Sequence, residues 1–527
     1  MKKRAFLFCL FWIFLPACTS IRSSLLPLSG SVCHVKVIRE GQTESGSFPA
    51  GKTVQDVLQS LKISWSSQDI IEPSLTTIIS DGITIRIRVI TTQDDTQQST
   101  IPFESQTIRN ETLPEGEQYL IQTGKNGLQK VTTHSVYEDG VLVSQNISDR
   151  SILTEAIPEI LMLGAKAEYA PIQIPGRILY ISEGNLWLMQ NSTENRTPLV
   201  MTGDLDGNIL DLSSNAKWVL FTRKTRADSI NSLWMLDITD SKAQPISLRI
   251  SNVIHYAQWL PGDALRVLYS TVTPQENAPG WKAANDLLLK IVSDSGMILS
   301  DETIIPANED GLYSWWGTEF QLSADGRQLI YATPSEIGSI NRLTSEKTAL
   351  IPIQPYEKTR SDWAWIPGTC WSSNGKDILF AYHGDISGKS PSYDPADFNI
   401  GLYSAADGKT SVLASSTGLF SYPAASPLFS DGSSSIAYLQ AVSPKQSENS
   451  QYRIMLMDPD GKNPKKVYPL DESGTILPQK IVWAPSTDKN ATWIGFISQG
   501  NIWLVNPYTG IYNQITVDQS ATKLIWK

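Results

Sequence analysis

A short apolar strand recurs seven times through the last two-thirds of this chain, and that repeat limits the possible folds more than any other feature. The segments read RILY at 177, WVLF at 218, RVLY at 266, QLIY at 328, DILF at 377, SIAY at 435 and WIGF at 493, 41 to 62 residues apart by those starting positions. Each is followed by a second strand: NLWLM at 185, SLWML at 232, DLLLK at 286, SINRL at 339, NIGLY at 399, RIMLM at 453 and NIWLV at 501. Ahead of six of the seven stands a further strand and a Gly/Asp/Asn turn, as in AQWLPGD, FQLSADGR and TCWSSNGK. Serial short strands with such turns at this period predict a β-propeller of seven blades spanning 175–527.

The first repeat lacks its leading strand, because IPGRILY begins at the turn. The end of the chain, ATKLIWK, has the missing character. Set ahead of Pro175-Gly176-Arg177, the segment Lys523-Leu524-Ile525-Trp526 reproduces Gln258-Trp259-Leu260-Pro261-Gly262, with Trp526 in the place of Trp259, Trp371 and Trp483. The C-terminal strand is therefore expected to close the ring, which removes the exposed edges that an open fan of sheets would carry.

A chain of 527 residues with 41% hydrophobic and 18% charged residues is too long for one core and ordinary in composition. The net charge of −10 becomes more acidic once Lys2, Lys3 and Arg4 leave with the leader, so nucleic acid is not an expected partner. The leader MKKRAFLFCLFWIFLPACTS has a basic start, then an apolar run too short to span a bilayer, then Leu15-Pro16-Ala17-Cys18. It resembles a bacterial lipoprotein signal peptide, 1–17. That resemblance implies a lipid on Cys18, a tether over 18–30 and an extracytoplasmic protein anchored to the cell membrane. Cys33 and Cys370 remain, and they are expected to be unpaired.

Residues 31–90 read as two strands, a helix after the cap Thr53 with Val54, Val57, Leu58 and Leu61 at helical spacing, and a closing strand through Ile83, Ile85, Ile87 and Val89. This segment resembles the small ubiquitin-like domain, an α+β fold, of resuscitation-promoting-factor-type surface proteins. Residues 91–168 follow with Ile101-Pro102-Phe103-Glu104, Gly116, Gly124, Gly127, Gly140, Pro158 and Gly164. They resemble the extended all-β five-glycine domain that accompanies it. The glycines are expected in turns of positive φ between narrow strands. The resemblance implies association with the wall, with N-acetylglucosamine-containing glycan as a proposed partner, and carries over no residue-level site. The propeller resembles TolB and WD-like extracytoplasmic propellers through Ser323-Ala324-Asp325-Gly326-Arg327, Ser373-Asn374-Gly375-Lys376 and Asp458-Pro459-Asp460-Gly461. Such turns specify fold rather than function.

No catalytic constellation is read. There is no Gly-Xaa-Ser-Xaa-Gly elbow and no His-Glu-Xaa-Xaa-His pair. His34, His134, His255 and His383 fall in separate segments and read as surface or strand residues. Asp204-Leu205-Asp206-Gly207-Asn208 has part of a calcium-loop pattern, but its glycine comes early and no glutamate closes it, and Tyr393-Asp394-Pro395-Ala396-Asp397 is equally ambiguous. No metal and no cofactor is expected. The expected function is non-catalytic: a scaffold held at the wall by its N-terminal modules, whose propeller binds a protein or glycan of the envelope. The alternative is a glycan-active or other hydrolytic enzyme with its site in the propeller channel. That would need two convergent carboxylates or a metal site, and the leading strands carry few charges. The expected binding surface is aromatic and consists of Trp281, Trp315, Trp316, Trp363 and Tyr393, on connections that a propeller brings to one face.

Overall fold

The computed structural model describes residues 31–527 apart from 112, 166–169, 226–227, 357–361, 385, 387–396 and 471–473. The leader, Cys18, the tether and Tyr393 lie outside the described residues. The chain is mainly β and divides into two compact units. One holds the described residues up to Glu104 with Gly124–Ile157, and the other holds Ser105–Thr123 with Pro158–Lys527.

In the first unit, strands Val32–Arg39 and Gln42–Pro49 form a hairpin, and Val32–Arg39 also pairs in parallel with Thr84–Arg88. A short strand not anticipated from the sequence, Ile70–Glu72, completes a four-stranded sheet. Its period-two apolar face, with Val35, Val37, Ile85 and Ile87 buried, packs on Val54, Val57 and Leu58 of the helix Val54–Ser60. Thr53 caps that helix by a capping box with Asp56. The same unit contains a long antiparallel sheet of Ile90–Ile101, Gly127–Glu138 and Val141–Thr154. It has almost no core: Val141, Leu142, Val143, Ile147, Ile152 and Leu153 are all exposed.

The second unit begins with a small sheet in which Glu159–Gly164 pairs in parallel with Ser105–Asn110 and antiparallel with Gln118–Gln122. Of the five glycines, only Gly116 and Gly140 have positive φ. The expectation fails at the other three for a steric reason. An added Cβ would lie 2.4 Å from the Phe103 ring at Gly124, 2.5 Å from Ala156 N at Gly127 and 1.9 Å from Pro114 O at Gly164. These three glycines let neighbouring groups approach.

Among the described residues seven sheets of three or four strands follow in chain order. Six are four-stranded antiparallel meanders, beginning at Leu205–Leu212, Ala257–Trp259, Glu319–Leu322, Thr369–Trp371, Ala424–Ala425 and Val482–Trp483. The earliest in sequence, here the first sheet, consists of Asn185–Val200, Gln173–Ser182 and the terminal strand Ala521–Trp526. Its register matches that of the other sheets: Trp526 lies opposite Ile178, as Trp259 lies opposite Val267, Trp371 opposite Ile378 and Trp483 opposite Ile494. Trp526 is 6% exposed and shares a core with Ile178 and Tyr180 and with Ile108, Ile160 and Met162 of the small sheet.

Candidate functional site

The seven equivalent registers define positions that can be compared between sheets. Three residues before the Trp259, Trp371, Trp483 and Trp526 position stand Tyr256, Gly368, Lys480 and Lys523. In the other sheets the pairs Leu212–Val219, Leu322–Leu329 and Ala425–Ile436 place Ile209, Glu319 and Tyr422 there. The layer therefore contains three charged residues, although the leading strands read as poor in charge. Gly368 leaves room beside Tyr422, whose ring an added Cβ would meet at 2.8 Å.

A cavity of ≈ 590 Å³ opens beside this layer. Its walls are 208–211, 255–258, 320–322 and 522–525, with Gln479, Lys480, Val482 and Ile497. These belong to the leading segments of the second, third, fourth and first sheets and to the seventh sheet. Lys480 Nζ donates to Glu319 Oε2 at 2.7 Å, joining the seventh sheet to the fourth across 161 residues of sequence. The Lys480 side chain is nevertheless 65% exposed and Glu319 33%, because both face open space. Glu319 raises the Lys480 ammonium above its ordinary value. Burial pushes the Glu319 carboxyl up, but Lys480, His255 and Lys523 together hold it below the usual carboxylate range. Lys523 donates to Asn208 O at 3.2 Å, and its pKa is lowered first by burial and then by Lys480.

His255 connects this cavity to the aromatic residues. Its ring meets Trp281 edge to face at 4.7 Å between centroids and lies 6.3 Å from Trp316. Burial pushes the imidazole down to about 4, so it is neutral near pH 7. Trp281 and Trp316 lie 5.0 Å apart, and Trp315 and Trp316 5.8 Å. Trp281 lies on the hairpin Val272–Pro274/Trp281–Ala283 within the third sheet's second-to-third connection, and Trp315 and Trp316 enter the fourth sheet. The structure thus brings three of the five expected aromatic residues into one half-buried cluster. Trp363 lies outside it, against Phe420 at 6.1 Å. Trp316 and Trp363 both pack on the core around Trp365, Phe380 and Phe398, so each has a structural share in its burial.

The other polar groups singled out in the sequence are engaged locally. Asp204 takes a two-pronged contact from Arg223, and Asp206 accepts from Asn208, Thr222 and Asn231. His34 and His134 are exposed and pair with Asp81 and Asp94, while His383 is a buried strand residue among Tyr356, Trp365 and Phe398. Cys33 is buried, Cys370 is half-buried, and both are free thiols. Among the described residues no helix is long and apolar enough to cross a membrane.

Residues 92–166 match the G5 domain family. Solved structures with similarity include the G5 domain of an IgA1 protease, 25% identical over 15% of this chain and 94% of that chain, at a TM-score of 0.12. A putative TolB from Agrobacterium tumefaciens is 16% identical over 56% of this chain and 88% of its own, at a TM-score of 0.32. TolB from Acinetobacter baumannii is 13% identical over 71% of this chain and 96% of its own, at a TM-score of 0.33. The comparison with curated proteins returns no match.

Proposed function

We propose that this chain is a non-catalytic binding and scaffold protein of the cell envelope, lipid-anchored through Cys18, whose seven sheets form a closed seven-bladed ring that holds a partner on an aromatic face. The pairing of Ala521–Trp526 with Gln173–Ser182, in the register of the other leading strands, supports closure. The strand–strand–helix–strand–strand order and mixed four-stranded sheet of 31–90 support the ubiquitin-like reading. Together with the G5 segment it forms the wall-directed part, and the leader supports the anchor.

The observation that carries the binding reading is the half-buried Trp281, Trp315 and Trp316 cluster around His255. Three indoles outside the meander strands of the large sheets, Trp281 on the inserted hairpin, offer rigid contact area with N–H groups, which suits a protein hot spot and the stacking of a sugar alike. Trp363, packed against Phe420, is proposed as a further part of this surface. The second reading, an enzyme acting in the cavity, draws on Glu319 and His255. Glycoside hydrolysis commonly uses two carboxylates, and the carboxylate that lines the cavity wall, Asp211, is held by Lys527.

The test is quantitative recovery of envelope proteins and of purified wall glycan on the immobilised full chain and on a Trp315→Ala, Trp363→Ala variant of unchanged circular dichroism. Loss of either class of ligand in the variant supports the proposal and names the class. Full retention of both by the folded variant refutes it.

A further inference from the structure

The cavity wall holds an ammonium group with unused donors. Lys480 has Glu319, but Lys523, on the terminal strand, makes no ion pair among the described residues and spends one N–H on the Asn208 carbonyl. An ammonium has three donors and no acceptor, so two of its N–H groups remain to be used. The carboxylates that could have served are occupied. Asp211, which also lines the wall, is taken by Lys527. Asp206 is held by Asn208, Thr222 and Asn231. Asp206 keeps its negative charge and attracts Lys523 only from beyond contact, so the layer lacks a carboxylate acceptor in contact with the Lys523 ammonium.

We propose that this cavity takes a monoanionic, hydroxylated carboxylate of monosaccharide size, its carboxylate received by Lys523 and Lys480. The volume of ≈ 590 Å³ falls within the usual range for small-molecule sites, roughly 300–1,000 Å³. One carboxylate accepts from the unused donors of Lys523 and Lys480, and a dianion would bring a second negative charge beside Glu319. The walls select a hydroxylated skeleton. Gln258, Asn208 and Thr522 carry amide and hydroxyl groups on the wall beside the Phe320 ring. A purely apolar acid would leave these groups unmatched. Binding would also relieve the cost that burial and Lys480 impose on the Lys523 charge. The proposal rests on the cavity and not on the aromatic face, so either can fail without the other.

The experiment is isothermal titration of the detergent-solubilised full chain at about pH 8.5 with sodium glucuronate and sodium gluconate at constant ionic strength, with glucose as the uncharged counterpart and inorganic phosphate, at this pH the dianion, as the doubly charged one. At least one of the two carboxylates is expected to bind, at least tenfold more tightly than glucose or phosphate. Lys523→Met is expected to weaken it at least tenfold, and Lys523→Arg is expected to restore most of the loss. Should Lys523→Met fail to fold, the ligand series and Lys523→Arg still decide the matter. Absence of binding by both carboxylates, equal binding of glucose, tighter binding of phosphate, or unchanged affinity in a folded Lys523→Met variant would each overturn the proposal.

Discussion

Arg196 donates through Nη1 to Glu111 Oε2 at 2.5 Å, and each side chain keeps only 3% of its surface in water. Glu111 directly follows the strand Ser105–Asn110 of the small sheet, and Arg196 lies in Asn185–Val200 of the first large sheet. Glu111 also accepts from the Val517 N–H at 2.5 Å. This half of the G5 segment is thereby fixed to both ends of the repeat region by a buried charge pair. Removing one member leaves the other charged and buried, so Glu111→Ala is expected to cost about 3–5 kcal/mol, and Glu111→Leu with Arg196→Met much less. Urea midpoints check this, and equal losses in the single and double variants would contradict it.

The terminal strand makes a second prediction. Trp526 donates from Nε1 to Pro175 O at 2.7 Å and fills the core shared with the small sheet. Trp526→Ala is expected to cost about 3–5 kcal/mol, and deletion of Ala521–Lys527 more. An unchanged unfolding midpoint after the deletion would show that the strand contributes nothing to the fold.

Glycines of the G5 segment should respond unequally. Gly140 has positive φ and open space around it, so Gly140→Ala bears only the left-handed backbone cost of about 1–2 kcal/mol. At Gly164 the added carbon would meet a backbone oxygen, which cannot swing away as a side chain can. Thermal midpoints should fall further for Gly164→Ala than for Gly140→Ala, and the reverse order would contradict the close-approach reading.

His255 gives a pH dependence. Its folded pKa, about 4, lies below the ordinary 6.5 because burial disfavours the imidazolium. Between those values the unfolded chain binds the proton and the folded chain does not, so stability falls as pH drops from 6.5 to 4 and this group adds no further loss below that. His255→Phe keeps a ring against Trp281 and removes the titration. The stability difference between parent and variant should therefore shift in the variant's favour over that window. A difference constant from pH 7 to pH 4 would contradict this.

The repeat was legible in sequence because each strand announces itself locally, by alternation and by turns such as Ser323–Arg327. The partner of Ala521–Trp526 was legible because one repeat alone lacked its leading strand. The Lys480–Glu319 pair was not, because it joins sheets 161 residues apart and neither residue stands out within its own repeat. Aligning the repeats on Trp259, Trp371, Trp483 and Trp526 would have exposed Lys480 and Lys523 as one layer. The three close-approach glycines were misread for a related reason: what crowds Gly124, Gly127 and Gly164 comes from segments distant along the chain. Connection topology led to the expectation of one aromatic surface that includes Trp281, Trp315 and Trp316, whereas the contacts of Trp281 and Trp316 with His255 required the fold.

Hydrogen exchange of the full chain with and without the envelope fraction recovered on it tests the central claim most directly. The account predicts new protection over 272–283, 306–318 and 362–366, the segments that carry the aromatic face. Protection confined to the strands 127–154, or none in the repeat region, would contradict it.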